Sequence, residues 1–348
     1  MCVCVNIFTR MHTNYSNLIS IENLFQAWSE FRKGKSKRSD VQLFERNLED
    51  NLFILHQKLK NKTYRHGDYQ SFYVNDPKQR HIHKASVFDR IVHHLLYTFL
   101  YKLFDPVFIH DSYSCRLNKG THKGVERLGR FTRKVSKNYT NNCWVLKCDI
   151  KKFFASVDHG VLFNLLRIKI KDENTIWLLK QVIDSFQTDS KKGIPLGNLT
   201  SQIFANIYLN ELDQFVKHEL KVKYYLRYAD DFVILSRNRN EFHQYTGILV
   251  SFLRDNLKLE LHPKKIIVRR LDWGIDFLGY VVLPDYILPR TKTKRRIFKK
   301  LKEKISSENF NQSLQSYLGY LKHAESYKIT QELKIRFGLS GELRGWTM

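Results

Sequence analysis

Residues 223–236, KYYLRYADDFVILS, constrain this chain more than any other stretch. Apolar, β-prone runs flank Ala229-Asp230-Asp231, and a polar break between two such runs predicts a β-hairpin. The two carboxylates then sit at its tip. Adjacent negative charges are costly unless cations lie against them. Mg²⁺, a hard ion held through one or two carboxylates plus substrate phosphates, is the usual answer. Asp is also a common turn residue, so the pair gains its weight from the rest of the chain.

A third carboxylate is predicted close by. Residues 144–150, WVLKCDI, alternate like a strand and end on Asp149, well placed to meet the hairpin pair from a neighbouring strand. Asp158 has a different reading: it precedes a helical stretch with Val161, Leu162 and Leu165 and is predicted as its N-cap.

Charge narrows the partners. The 348 residues carry 59 Lys+Arg against 34 Asp+Glu, a formal charge of +25. Such an excess repels itself unless a polyanion lies against it, and the 18 Tyr and 24 Phe offer faces on which bases stack. A membrane surface competes poorly, because no apolar run approaches the roughly twenty residues of a spanning helix and no basic amphipathic helix dominates. Cys2, Cys4, Cys115, Cys143 and Cys148 are odd in number with no Cys-x-x-Cys pair. This argues against a disulfide framework and a zinc site, and for a reducing interior. The opening MCVCVNIFTRMH lacks a signal-peptide cleavage site and reads as a loose extension.

Residues 17–59 are predicted helical, with Leu18, Ile21, Leu24, Phe25 and Trp28 on one stripe and Phe44, Leu48, Leu52 and Leu55 on another. The basic run 32–38 between them is read equally as solvated surface or a nucleic-acid contact. A strand at 67–74, a turn at Asp76-Pro77 and a second strand predict a hairpin, followed by an apolar helix over 91–103. Arg80 and Arg90 are candidates for gripping a triphosphate or template backbone, and equally for structural ion pairs. His81, His83, His93 and His94 find no Cys or carboxylate to complete a metal set and are read as core or surface residues. Residues 111–124 read as a loop, and 193–202, GIPLGNLTSQ, as a turn opening a long amphipathic helix capped by Asn198 or Thr200. Gly197 permits close backbone approach, and N–H groups at a helix start attract phosphate. Beyond the central hairpin a helix is predicted over 241–253, a strand through Leu257, Leu259 and Leu261, and a strand over 275–282. A basic helix follows over 290–304, then a stripe of Leu314, Tyr317, Leu318 and Leu321. Strands are expected to give way to helices near Tyr286.

With these motifs in hand, the chain resembles a reverse transcriptase from about residue 17 to 345. YADD at 228–231 resembles the catalytic box of that family, and CDIKKFFASVDH at 148–159 the strand with its first catalytic Asp. The resemblance implies an α+β right-hand polymerase fold: an N-terminal helical extension over 1–60, fingers and a palm with an antiparallel sheet over 61–285, and a small helical thumb over 286–348. It implies an RNA-directed DNA polymerase in which Asp149, Asp230 and Asp231 hold two Mg²⁺ ions, Mn²⁺ being a substitute, with Ile150 adding its backbone carbonyl. Phe154 would exclude a 2′-hydroxyl. Arg80, Arg90, Gln202 and Lys265 would face the dNTP, Lys265 as a donor to pyrophosphate. Arg116, Arg295, Arg296 and Lys299 would contact nucleic acid.

Intron-encoded and retron enzymes usually read Gln-Gly and Ser-Pro where this chain reads Leu196-Gly197 and Ser201-Gln202. That pattern, SYLGYLKHAESYK at 316–328, and NLFQAWSEFRKGK at 23–35 are similar to reverse transcriptases of diversity-generating retroelements, within the group II intron-like lineage. Their implied work is error-prone copying of a template-repeat RNA into cDNA mutated at adenines, to diversify a target gene. Implied partners are template RNA, the RNA–cDNA duplex, dNTPs and a small, basic, oligomeric accessory protein. The setting is cytoplasmic in a bacterial, archaeal or phage-encoded system, and no endonuclease, RNase H or extended maturase region is expected. Leu196, Gly197, Ser201 and Gln202 would then bear on template and fidelity. Two alternatives are a retron or antiphage-defence enzyme making a fixed cDNA and a non-catalytic, maturase-like RNA-binding scaffold.

Overall fold

The structure, a computed structural model, describes residues 14–75 and 79–337. The N-terminal extension with Cys2 and Cys4, the expected Asp76-Pro77 turn, and the last part of the resemblance lie outside the described residues. In chain order the elements are α1 (Tyr15–Leu18), α2 (Ile21–Arg32), α3 (Ser39–Arg46), α4 (Leu48–Lys60), β1 (Gln70–Val74), β2 (Arg80–Lys84), α5 (Val87–Phe104), α6 (Thr121–Val135) and β3 (Trp144–Asp149). There follow α7 (Phe153–Ser156), α8 (His159–Lys169), α9 (Glu173–Ile183), α10 (Leu199–Gln214), β4 (Tyr225–Tyr228), β5 (Asp231–Ser236), α11 (Glu241–Leu257), β6 (Ile267–Arg270), β7 (Ile275–Phe277), β8 (Tyr280–Val282), β9 (Ile287–Pro289), α12 (Thr291–Lys304), α13 (Phe310–Leu321) and α14 (Tyr327–Phe337).

The chain divides into two compact units. One comprises Met1–Ile109, Lys151–Leu212 and Phe252–Glu260; the other comprises His110–Ile150, Asp213–Ser251 and Leu261–Met348. In the first, α2 starts where Ser20 accepts the Asn23 N–H, and it buries Leu24, Ala27, Trp28 and Phe31. These residues recur every three or four positions, so one face of α2 packs on α4 and α5. β1 and β2 form an antiparallel hairpin, Gln70 opposite Lys84 and Val74 opposite Arg80. The turn before α10 adds to its edge: the His83 N–H donates to the Leu196 carbonyl at 2.9 Å, and Asn198 Nδ2 donates to the His83 carbonyl at 2.8 Å. Gly197 has φ +107°, and a Cβ there would lie 2.7 Å from Ile82 Cγ2. Only glycine fits this approach of loop to strand.

The second unit holds a four-stranded antiparallel sheet in the order β4-β5-β3-β6. β5 lies between β4 and β3 with Phe232, Val233, Ile234 and Leu235 all buried, which is why its sequence is continuously apolar and does not alternate. Val125, Leu128 and Phe131 of α6 pack against Val145, Leu226 and Val233 of this sheet. β7, β8 and β9 form a second antiparallel sheet, and Ile297, Leu301, Leu314, Leu321 and Leu333 make the core of α12, α13 and α14.

Three expectations change, and of the two cap candidates for α10 one is kept. Leu257 ends α11, Lys258 takes φ +51°, and Leu261 makes one isolated bridge to Ile150, so 257–261 is no strand. Residues 275–282 are two strands, because Leu278 (φ +50°) and Gly279 (φ +91°) reverse the chain between β7 and β8. Strand β9 follows Tyr286, which moves the change to helices to Thr291. Thr200 lies inside the first turn of α10, leaving Asn198 at the cap position. Sequence reading also missed α6, read as loop as far as Gly124.

Candidate active site

The predicted hairpin is β4–β5, with Tyr228 opposite Asp231 and Ala229-Asp230 making the turn. Ala229 takes φ +51°, a left-handed conformation that residues with a Cβ disfavour. β3 pairs with β5 so that Asp149 lies directly opposite Asp231, and the Ile150 N–H donates to the Asp230 carbonyl at 3.2 Å. Like charges placed opposite each other across a ladder destabilise a sheet. The register therefore gathers three carboxylates at one corner at a cost that folding alone does not explain.

Their electrostatics show the strain. Burial, then the negative charges of Asp231 and Asp149, push the Asp230 carboxyl up to about 6. Burial likewise raises Asp231; the nearby charge of Asp149 adds to this, and Lys147 and Lys265 oppose it. Lys265 sits on the single turn Pro263–Lys265, which docks on the same corner. There the His262 N–H donates to the Asp149 carbonyl at 2.8 Å, and Lys265 Nζ bonds Asp149 Oδ1 at 2.8 Å. Lys147, two residues before Asp149 on the same strand face, donates to the Asp276 carbonyl at 3.1 Å.

The donors are oxygen atoms only, crowded and undercompensated, which fits hard divalent cations. As the side chains stand, no three His, Cys, Asp or Glu among the described residues close around a metal ion. Lys265 instead takes the cation's part against Asp149. Asp149, Asp230, Asp231, Ile150 and Lys265 are thus brought together within one unit.

The other expected residues are placed as follows. Arg80 is exposed on β2. Arg90 is engaged by Asp40 at 2.5 Å and lies 4.9 Å over the Phe31 ring, so it is a structural ion pair. Phe154 is half-buried on α7, with the Ile194 N–H donating to its carbonyl at 2.8 Å and Phe153 edge-on to its ring at 5.4 Å. Leu196 is half-buried and Gln202 exposed, whereas Ser201 is buried with its hydroxyl donating to the Pro195 carbonyl at 2.6 Å. Arg116 Nη1 donates to the Ser112 carbonyl at 3.2 Å. On α12, Arg295 and Lys299 are exposed and Arg296 half-buried. Asp158 caps α8, accepting the Val161 N–H at 3.0 Å. His93 is buried and bonded to Thr200 Oγ1 at 2.6 Å. Sequence reading missed Asp213 and Arg227, a fully buried ion pair behind the hairpin. The available signal was an arginine inside the apolar run of β4.

Residues 68–282, more than half of the chain, match the family described as reverse transcriptase (RNA-dependent DNA polymerase). The chain belongs to the reverse transcriptase family. It is 24% identical over 295 residues to the group II intron-encoded protein LtrA of Lactococcus lactis subsp. cremoris, covering 64% of this chain and 48% of that protein. It is 23% identical over 279 residues to protein YkfC of Escherichia coli, covering 68% of this chain and 72% of that protein. This reverse transcriptase chain thus spans about half the length of LtrA. A telomerase from Candida albicans, solved with a fragment of telomeric RNA, shares the fold at TM-score 0.51 and 14% identity, over 80% of this chain and 57% of that one. That likeness carries the right-hand polymerase fold, with its mixture of helices and antiparallel sheets. No helix among the described residues is long and apolar enough to cross a membrane.

Proposed function

We propose that this protein is an RNA-directed DNA polymerase that copies a template-repeat RNA into adenine-mutated cDNA, as in diversity-generating retroelements. One observation carries the polymerase reading: β3 and β5 set Asp149 opposite Asp231, with Asp230 beside them in a strained turn. In this reading Asp149, Asp230 and Asp231, with the Ile150 carbonyl, hold two Mg²⁺ ions, and Mn²⁺ can replace them. Bound there, such ions supply Lewis-acid stabilisation of the charge that develops on the attacking and leaving oxygens of an in-line displacement. Lys265, already at the corner, donates a proton to pyrophosphate as it leaves. Phe154 rejects the 2′-hydroxyl, Arg80 and Gln202 act toward the dNTP, and Arg116, Arg295, Arg296 and Lys299 act toward the phosphate backbone. Arg90 acts through its hold on Asp40.

The retroelement lineage rests on Leu196 in place of Gln and Gln202 in place of Pro. A missing polar contact worth about 1 to 3 kcal/mol is enough for a tenfold to hundredfold loss of selectivity. The proposed partners are the template RNA and its cDNA duplex, and a small basic accessory protein, in the cytoplasm.

Primer extension on an RNA template with Mg²⁺ and dNTPs, followed by sequencing of the cDNA, tests both levels. Extension with errors concentrated opposite template adenine is the expected result, and Leu196→Gln should lower those errors. Faithful extension would favour an enzyme making a fixed cDNA. RNA binding without extension would favour a scaffold.

A further inference from the structure

Arg227 is among the largest fully buried side chains of the protein, and it sits two residues before the strained Ala229. Its guanidinium is held by Asp213, with Nε donating to Oδ1 at 2.8 Å and Nη2 to Oδ2 at 2.6 Å. Tyr225 fixes the same carboxylate, its hydroxyl donating to Oδ1 at 2.6 Å. Nη2 also donates to Ser112 Oγ at 3.2 Å, and Nη1 donates to the Ala229 carbonyl at 3.1 Å. The backbone reinforces this: the Arg227 N–H donates to the Asp111 carbonyl and the Tyr113 N–H to the Arg227 carbonyl, both at 2.9 Å. Segment 111–113 therefore runs along β4 and anchors the arginine from both sides.

A buried, paired charge is weak evidence for stability, since two apolar residues of similar volume often serve as well. What apolar residues lack is a donor for the Ala229 carbonyl. That carbonyl belongs to the peptide leading into Asp230, in a conformation an alanine disfavours.

We propose that Arg227, oriented by Asp213, is a positioning residue that grips the Ala229 carbonyl and so fixes where the Asp230 carboxylate points. This rests on the polymerase reading for its consequence in catalysis, but not for its consequence in cation binding. The geometry needs a planar fork able to reach three partners at once, which an ammonium group cannot supply.

The test uses the full chain with two changes: Arg227→Lys, and the double replacement Asp213→Leu with Arg227→Met. Three quantities are measured for each: the Mn²⁺ dissociation constant by electron paramagnetic resonance, kcat and KM for single dNTP addition, and the urea unfolding midpoint. Partial unfolding raises the apparent dissociation constant only by the inverse of the folded fraction, so the constant is measured where the urea curve shows each variant almost wholly folded, and there it reports position and not stability. Arg227→Lys should weaken Mn²⁺ about tenfold and lower kcat by about 10- to 100-fold, with KM within twofold, as for residues that orient metal ligands. The double variant should recover the unfolding midpoint and still show the weak Mn²⁺ binding and low kcat. Recovery of Mn²⁺ affinity together with the midpoint would overturn the proposal, as would Arg227→Lys with native Mn²⁺ affinity. If the unaltered protein extends no primer and Arg227→Lys still weakens Mn²⁺, the positioning role stands and the polymerase reading falls.

Discussion

Replacing Asp230 by Asn should stabilise the metal-free protein while abolishing its proposed activity. Burial and the neighbouring aspartates hold the Asp230 carboxyl at about 6, against an ordinary 3.8. A carboxyl raised in this way favours the native state while protonated. That contribution is complete below about pH 4, is lost as pH climbs through 6, and stays lost above it. Each pH unit of displacement corresponds to about 1.4 kcal/mol, so the ionised Asp230 costs on the order of 3 kcal/mol at pH 7.5. Asn has the shape of the protonated acid and no charge, and should regain most of that amount. Native-state hydrogen exchange of the β3 and β5 amides, without divalent ions, reads the opening of this sheet. Protection free energies in Asp230→Asn should exceed the native values by about 2 to 3 kcal/mol at pH 7.5 and match them near pH 4. Mg²⁺ should narrow the gap at pH 7.5 by stabilising the native protein alone. Lower protection in the variant at pH 7.5, or an equal gain at both pH values, would refute the electrostatic argument.

Other consequences are as specific. Lys265→Met should cost less than about 1 kcal/mol of stability, because the lysine is partly exposed. Removing a cation that holds Asp230 down should nevertheless move the acid limb of the Mg²⁺-supported pH–rate profile to higher pH. Gly197→Ala should destabilise the β1–β2 hairpin by about 1 to 3 kcal/mol, read as faster exchange of the His83 amide, because φ +107° and the Ile82 methyl leave no room for a Cβ. Phe154→Ala should raise kcat/KM for ribonucleotides relative to deoxyribonucleotides at least tenfold, measured on one RNA template.

Much of this was legible in the sequence, and the reasons differ by element. The hairpin at Asp230-Asp231 and the strand ending at Asp149 were readable because the buried interior of β5, Phe232 to Leu235, leaves an apolar run beside the acids, and because β3 alternates up to Asp149 with Val145, Leu146 and Cys148 buried. The β1–β2 hairpin and α10 were also readable. Residues 257–261 misled because Leu at alternate positions mimics a strand, yet here one Leu closes a helix, the next accompanies a left-handed turn and the last bridges a single residue. α6 was missed because Gly120 and Gly124 made its start look like loop, although Val125, Leu128 and Phe131 keep a helical period. Arg90 and Arg227 show the limit most plainly: an arginine's sequence neighbours do not say whether a distant aspartate will hold it, and Asp40 and Asp213 lie 50 and 14 residues away.

The most direct measurement of the central claim is the rate of adding one dNTP to a primer on an RNA template as free Mg²⁺ is raised. The native protein is compared with Asp149→Asn, Asp230→Asn and Asp231→Asn. The account requires Mg²⁺-dependent addition by the native protein and at least a thousandfold loss in each variant while RNA binding is retained. Addition that survives in any of the three, or that proceeds without a divalent ion, would contradict it.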